Sequence, residues 1–139
     1  NNALLADTLG VTRERRFTDW GYGGLLDEPM PVSEFATRVQ EKLDRPPLVF
    51  SYGPEQVERV AVLTGGAAGF ISDAAAQGYD CFVTGEAAEP TKHAAKEAAI
   101  HFVAGGHYAT ETLGVRALAA KLADEFGVEW EFLDLPNPV

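Results

Sequence analysis

The chain has 139 residues, 46% of them hydrophobic and 10% aromatic, which suffices for one domain with a sizeable core and argues against disorder. Eleven Lys and Arg against 21 Asp and Glu give a formal charge of −10, which repels a phosphate backbone and disfavours nucleic acid as a partner. The longest apolar runs, such as Val60 to Leu63 and Phe102 to Ala104, fall far short of the roughly 20 residues a membrane helix needs, so no span is expected.

Asn1 and Asn2 lead into an amphipathic helix over Asn2 to Leu9, with Leu4, Leu5, Ala6 and Leu9 apolar. The chain thus opens inside a structural element, as expected of a processed chain or of part of a longer protein. No basic leader precedes this helix, and a single cysteine, Cys81, excludes an internal disulfide framework. A reducing compartment, the cytoplasm, is the expected location.

Arg13 to Phe17 reads as a strand, and Tyr22-Gly23-Gly24 is expected to break the pattern. An amphipathic helix over Glu34 to Leu43 follows, with Ser33 placed to cap it, and then a strand over Pro47 to Ser51. Residues 1–57 form the less regular segment. Residues 58–139 alternate apolar runs with helical patterns, the signature of βαβ units.

Val60 to Leu63 predicts a strand, Thr64-Gly65-Gly66 a loop, and Ala68 to Ala76 a helix ended by Gly78. Asp80 to Val83 is the next strand. Thr84-Gly85-Glu86 leads from it to a helix over Thr91 to Ala99, with Pro90 near its first position. Ile100 to Val103 is the third strand, followed by Gly105-Gly106-His107 and a long helix over Tyr108 to Phe126 closed by Gly127. Val128 to Leu133 predicts a last strand, stopped by Pro136 and Pro138. The expected fold is α/β: a mostly parallel sheet with helices on its faces, residues 1–139 forming one α/β region of a larger two-domain protein.

In an open parallel sheet, the loops leaving the C-terminal strand ends gather on one edge, where such folds place ligands. The three glycine loops meet that rule. His107 and Glu111, four apart at the start of a helix, project from one face, and an imidazole with a carboxylate suits Zn²⁺, Mn²⁺ or Fe²⁺. The plainer account is that a carboxylate in the first turn answers the helix dipole while the histidine caps or is simply exposed. Glu86 reads either as a general acid or base, or a carboxylate orienting a ligand histidine, or as an ordinary helix-entry residue. His93 reads as solvent-facing or structural, His101 as structural, and Cys81 as core. The glycine pairs fall short of GxGxxG, and no Ser/His/Asp order, Walker loop or CxxC pair occurs.

Three segments carry a family resemblance. Leu63-Thr64-Gly65-Gly66-Ala67 resembles an S/T-G-G-G/A loop, Asp80-Cys81-Phe82-Val83-Thr84-Gly85-Glu86 a D-x-F-x-T-G-E/D segment, and Gly106-His107-Tyr108-Ala109-Thr110-Glu111 a G-H-x-x-[ST]-E motif. These are hallmarks of the dinuclear-metal proteins known as GTP cyclohydrolase 1 type 2 homologues, also called NGG-one-interacting-factor-three-like. Gly23-Gly24-Leu25, the helix around Phe35 to Leu43 and the ending Leu133-Asp134-Leu135-Pro136-Asn137-Pro138 are also similar to short bacterial members, so the resemblance spans nearly the whole chain. It implies that His107 and Glu111 are ligands to a pair of divalent transition-metal ions (Zn, Mn or Fe), completed in the family by a His pair and an Asp earlier in the chain. Asn1-Asn2-Ala3-Leu4-Leu5 resembles the stretch just after that Asp, so the site is expected to be incomplete in this chain. The resemblance further implies a homohexameric ring and hydrolysis of a small, nucleotide-like substrate, with Glu86 or His93 handling protons. The alternative it leaves open is a non-catalytic, metal-binding ring scaffold or regulator.

Overall fold

The computed structural model describes residues 1–135 and 137–139. Its helices are α1 (Asn2–Thr8), α2 (Val32–Leu43), α3 (Ile71–Ala76), α4 (Thr91–Glu97) and α5 (His107–Phe126), and its strands are β1 (Val11–Phe17), β2 (Gly21–Met30), β3 (Leu48–Phe50), β4 (Val57–Val62), β5 (Cys81–Thr84) and β6 (His101–Ala104). One six-stranded sheet runs in the order β1-β2-β4-β5-β6-β3. Its centre, β4-β5-β6, is parallel and built of two of the three expected βαβ units. Both margins are antiparallel, β1 and β2 on one side and β3 on the other.

The central strands read as unbroken apolar runs because both of their faces are covered. Val60, Val62, Cys81, Val83 and Val103 face a core shared with Leu5 and Leu9 of the first helical segment and with Phe35 and Val39 of α2. Ala61, Phe82 and Phe102 face the opposite way, against Ile71 and Ala74 of α3 and Ala95 of α4. There the rings of Phe17 and Phe102 each meet Phe82 at a steep angle, with centroids 5.6 and 6.1 Å away. The alternation of period two along each strand therefore builds two cores, one on each side of the sheet.

Three expectations are corrected. Tyr22-Gly23-Gly24 does not break a strand but lies inside β2, since a Cβ at Gly23 would overlap the Tyr79 hydroxyl and one at Gly24 the Thr12 carbonyl oxygen. These glycines are there for close approach. Ser33 does not cap α2: the cap position is Pro31, and Ser33, the second helical residue, offers its carbonyl to the Thr37 hydroxyl. Val128 to Leu133 form no strand, and Val128, Trp130 and Leu133 are exposed. Phe132 of that segment packs on the Arg116 guanidinium of α5, and among the described residues the segment joins no sheet; the stop expected at Pro136 lies outside the described residues. The long helix is as expected, closed by Gly127 in the left-handed region at φ 64° with its N–H on the Ala123 carbonyl. Among the described residues, no helix is long and apolar enough to cross a membrane.

Candidate metal centre

Three loops leave the C-terminal ends of β4, β5 and β6 and are tied together, the first to the second through the Gly65 carbonyl. That oxygen accepts from the Gly85 and Glu86 N–H groups at 2.9 and 3.2 Å and from the Thr84 hydroxyl at 3.0 Å. The Gly106 N–H reaches the Gly85 carbonyl at 2.8 Å, which joins the third loop to the second. Gly85 is required by this closeness, because a Cβ there would stand 2.8 Å from both the Gly65 oxygen and the His107 Cα.

Two fully buried hydroxyls complete the knot. Thr84 also accepts from the Ala67 N–H at 3.3 Å, and Thr110 accepts from the Gly65 N–H at 3.3 Å while donating to the His107 carbonyl at 3.0 Å. Both threonines stand inside the sequence motifs, where the residues alone suggest no task for them. Their signal was a hydroxyl where the neighbouring pattern is apolar, at the end of a strand and on the inner face of a helix.

Gly106 takes φ 97° as it turns the chain into α5, and His107 is the first helical residue. The imidazole is held from both sides. Its Nδ1 makes a short hydrogen bond to Glu86 Oε1, and its Nε2 stands 3.3 Å from Glu111 Oε2. The hydrogen bond to Glu86, aided by the Glu111 charge, raises the His107 pKa above the ordinary histidine value, against a lowering by burial. All three side chains are about 40% exposed, so the edge is open to a ligand.

The structure thus brings together Glu86, His107 and Glu111. His93 lies on exposed positions of α4, makes no side-chain hydrogen bond among the described residues and does not line the cleft at His107. His101 is buried, taking the Gly53 N–H on Nδ1 at 3.1 Å and donating from Nε2 to the Pro54 carbonyl at 2.8 Å, so its two nitrogens are spent on the loop before β4. Cys81 is buried in β5, and burial foremost pushes its thiol pKa far up.

The donor chemistry fits a transition-metal ion in part. With Nδ1 turned to Glu86, Nε2 is left to face the Glu111 carboxylate, the arrangement of a ligand histidine oriented by a second carboxylate. Gly65 leaves room beside them, since a Cβ there would come within 2.7 Å of Glu111 Oε1 and 3.3 Å of His107 Nε2. Among the described residues, no group of three or more His, Cys, Asp or Glu side chains is arranged to hold a metal ion. Asn1 and Asn2 lie beside this edge: Asn2 Oδ1 accepts from the Thr64 N–H at 2.6 Å, and Asn1 Oδ1 from the Gly114 N–H at 2.8 Å.

Fold and site together define a three-layer α/β protein whose polar candidate centre sits at the C-terminal edge of its parallel strands. The Duf34/NIF3 (NGG1p interacting factor 3) profile matches residues 1–138, and the chain belongs to that family. It is 44% identical over 139 residues to a GTP cyclohydrolase 1 type 2 homolog of Salmonella typhimurium, covering 99% of this chain and 56% of that relative. Among solved structures, the protein ybgI, described as of unknown function, matches with a TM-score of 0.96 at 43% identity over 99% of this chain and 56% of its own. TTHA1606 from Thermus thermophilus matches with a TM-score of 0.84 at 32% identity, covering 97% and 54%. The chain spans about half the length of these relatives.

Proposed function

We propose that this chain forms part of a metal-dependent hydrolase acting on a small, nucleotide-like substrate, with His107 and Glu111 as its share of a site for two divalent transition-metal ions. The observation that carries the reading is the paired grip on His107, with Glu86 on one nitrogen and Glu111 beside the other. A Glu86 carboxylate accepting from Nδ1–H holds the ring and leaves the Nε2 lone pair for a ligand bond. His107 Nε2 and the Glu111 carboxylate would hold the metal. They are fewer than the three protein ligands that a catalytic site ordinarily keeps. The resemblance supplies the remainder as a His pair and an Asp, the latter next to a stretch like Asn1-Asn2, and the position of these two asparagines at the site edge fits that.

When bound, such ions supply Lewis acidity toward a substrate oxygen and toward water. Of the two residues considered for proton handling, Glu86 stands at the centre and His93 outside the cleft. Zn²⁺, Mn²⁺ and Fe²⁺ all suit one imidazole and carboxylates, so metal content of the purified protein decides among them. The test is turnover and metal content of the protein with and without His107→Ala. Loss of both is expected; unchanged metal-dependent turnover would sink the reading.

A second reading is favoured by a separate observation. The outer part of α5 exposes Val115, Leu118, Leu122 and Phe126 on one stripe, as a ring-forming assembly protein would. A metal-binding homohexameric scaffold without catalysis, resident in the cytoplasm, accounts for that stripe. Metal bound at full stoichiometry with no turnover across phosphate, amide and nucleotide substrates would favour the scaffold.

A further inference from the structure

The cleft at His107 has a wall that the metal reading does not use. It encloses about 420 Å³, within the range of small-molecule sites, and its lining passes from Glu86, His107 and Glu111 to Val115, Phe132, Asn137 and Val139. One side is therefore charged and the other largely apolar. The apolar side comes mostly from the chain after α5, of which Val128 to Leu133 were expected as a strand.

That segment is held in place by several contacts. The Tyr108 hydroxyl donates to Asp134 Oδ1 at 2.5 Å and accepts from the Leu135 N–H at 3.3 Å. The Tyr108 N–H, free at the start of α5, donates to the Val139 carbonyl at 3.1 Å, and Arg45 donates to the Pro138 carbonyl at 3.0 Å. The Arg116 guanidinium lies 3.8 Å from the centre of the Phe132 ring. Arg116 does not line the cleft whereas Phe132 does, so the surface Phe132 gives to the cleft is the part of its ring that the guanidinium leaves uncovered. Asn137 accepts from the Val139 N–H through Oδ1 at 3.0 Å, which leaves its amide N–H groups as donors without a partner among the described residues.

We propose that Phe132 and Asn137 form the substrate-recognition wall of this cleft, taking a compact planar heteroaromatic ring whose reacting end lies toward His107 and Glu111. The ring rests against Phe132 and Val115, and an acceptor on its edge takes the Asn137 amide N–H. This assignment rests on the reading of the same edge as a metal centre, and it adds a ligand class and two recognition residues. Arg116, which is outside the cleft lining, is a positioning residue that holds Phe132, and Tyr108 anchors the wall through Asp134 and Leu135.

The test is calorimetric titration of the full chain with guanosine, with ribose 5-phosphate as the ring-free control and Zn²⁺ affinity measured separately by chelator competition. Guanosine binding is expected to weaken about tenfold in Phe132→Ala, as for loss of one base–aromatic stack, and severalfold in Asn137→Ala. Phe132→Trp, which keeps the segment packed, is expected to hold or tighten it, so the test survives if Phe132→Ala fails to fold. Ribose 5-phosphate and Zn²⁺ should respond to none of these substitutions by more than about twofold, since neither meets the wall. Guanosine binding that is absent from the unaltered chain, or equal in the unaltered chain and Phe132→Ala, overturns the wall. Guanosine binding that tracks Phe132 in a protein unable to hold Zn²⁺ upholds the wall while removing the metal reading.

Discussion

The two ends of α5 are governed by different physics. Its first turn is fixed by buried hydroxyls and backbone groups, with Ala109 and Thr110 against the sheet edge and His107 between two carboxylates. Beyond Arg116 the same helix turns outward, and Leu118 and Phe126 are 58% and 69% exposed. Both ends satisfy one helical pattern in the sequence. The inner end owes its place to specific hydrogen bonds at a sheet edge, the outer end to intrahelical bonds and good helix formers such as Ala and Leu. A helix pattern thus reports that a helix forms and not what each of its turns is for.

The largest expected effect lies in β6, the strand that leads into the inner end. Phe102→Ala removes a fully buried ring from between Phe50 and Phe82, and should cost about 3–5 kcal/mol in denaturant unfolding. A cost below about 1 kcal/mol would show that the second core is loosely packed. Thr110→Val keeps the shape and leaves the Gly65 N–H without its buried acceptor, for an expected loss of about 1–3 kcal/mol. Metal affinity should fall with it, since the same hydroxyl holds the His107 carbonyl; stability and metal binding both unchanged would mean that the knot does not position the site.

Next comes the titration of His107. Its pKa lies above the ordinary value because the imidazolium is paired with Glu86 and then Glu111. Pairing of this sign stabilises the folded metal-free protein fully below the unfolded value near 6.5, and the contribution fades as pH rises through the raised folded value. A metal ion needs the neutral ring, so protons compete up to a higher pH than at a free histidine, and affinity should climb across the raised value. NMR titration of the imidazole should show Glu86→Gln returning the pKa toward the ordinary range. A pKa indifferent to that substitution would mean that Glu86 does not hold Nδ1. In the same protein, iodoacetamide should leave Cys81 untouched until unfolding, since the buried thiol resists ionisation.

Much of this was legible in the residues. Apolar runs between glycine loops gave β4, β5 and β6, and the i, i+4 spacing of His107 and Glu111 put both on the sheet edge where they are found. What escaped depends on partners far along the chain. Gly23 and Gly24 look like a break because sequence shows no Tyr79 or Thr12 pressing on them. Val128 to Leu133 has the composition of a strand, yet it joins no sheet among the described residues; Phe132 packs on Arg116, and Asp134 and Leu135 just after it bind Tyr108. The tasks of Thr84 and Thr110 require knowing that three loops meet around Gly65, whose carbonyl takes the Thr84 hydroxyl and whose N–H reaches Thr110.

The smallest expected effect tests the outer end directly. Leu118→Gln with Leu122→Gln replaces two apolar side chains of the stripe by polar ones of similar helix propensity, so a change in stability would not come from the backbone. Because both leucines already meet water, the chain should lose no more than about 0.5 kcal/mol per site in unfolding. Sedimentation is the more telling readout: if copies of the chain meet through this stripe, the double substitution should give smaller particles with unchanged secondary structure. If unfolding at protein concentrations where the chain is monomeric becomes easier by more than about 2 kcal/mol, buried apolar area must have been lost. The outer turns would then be packed within the chain itself, and the contrast between the two ends of α5 would fail.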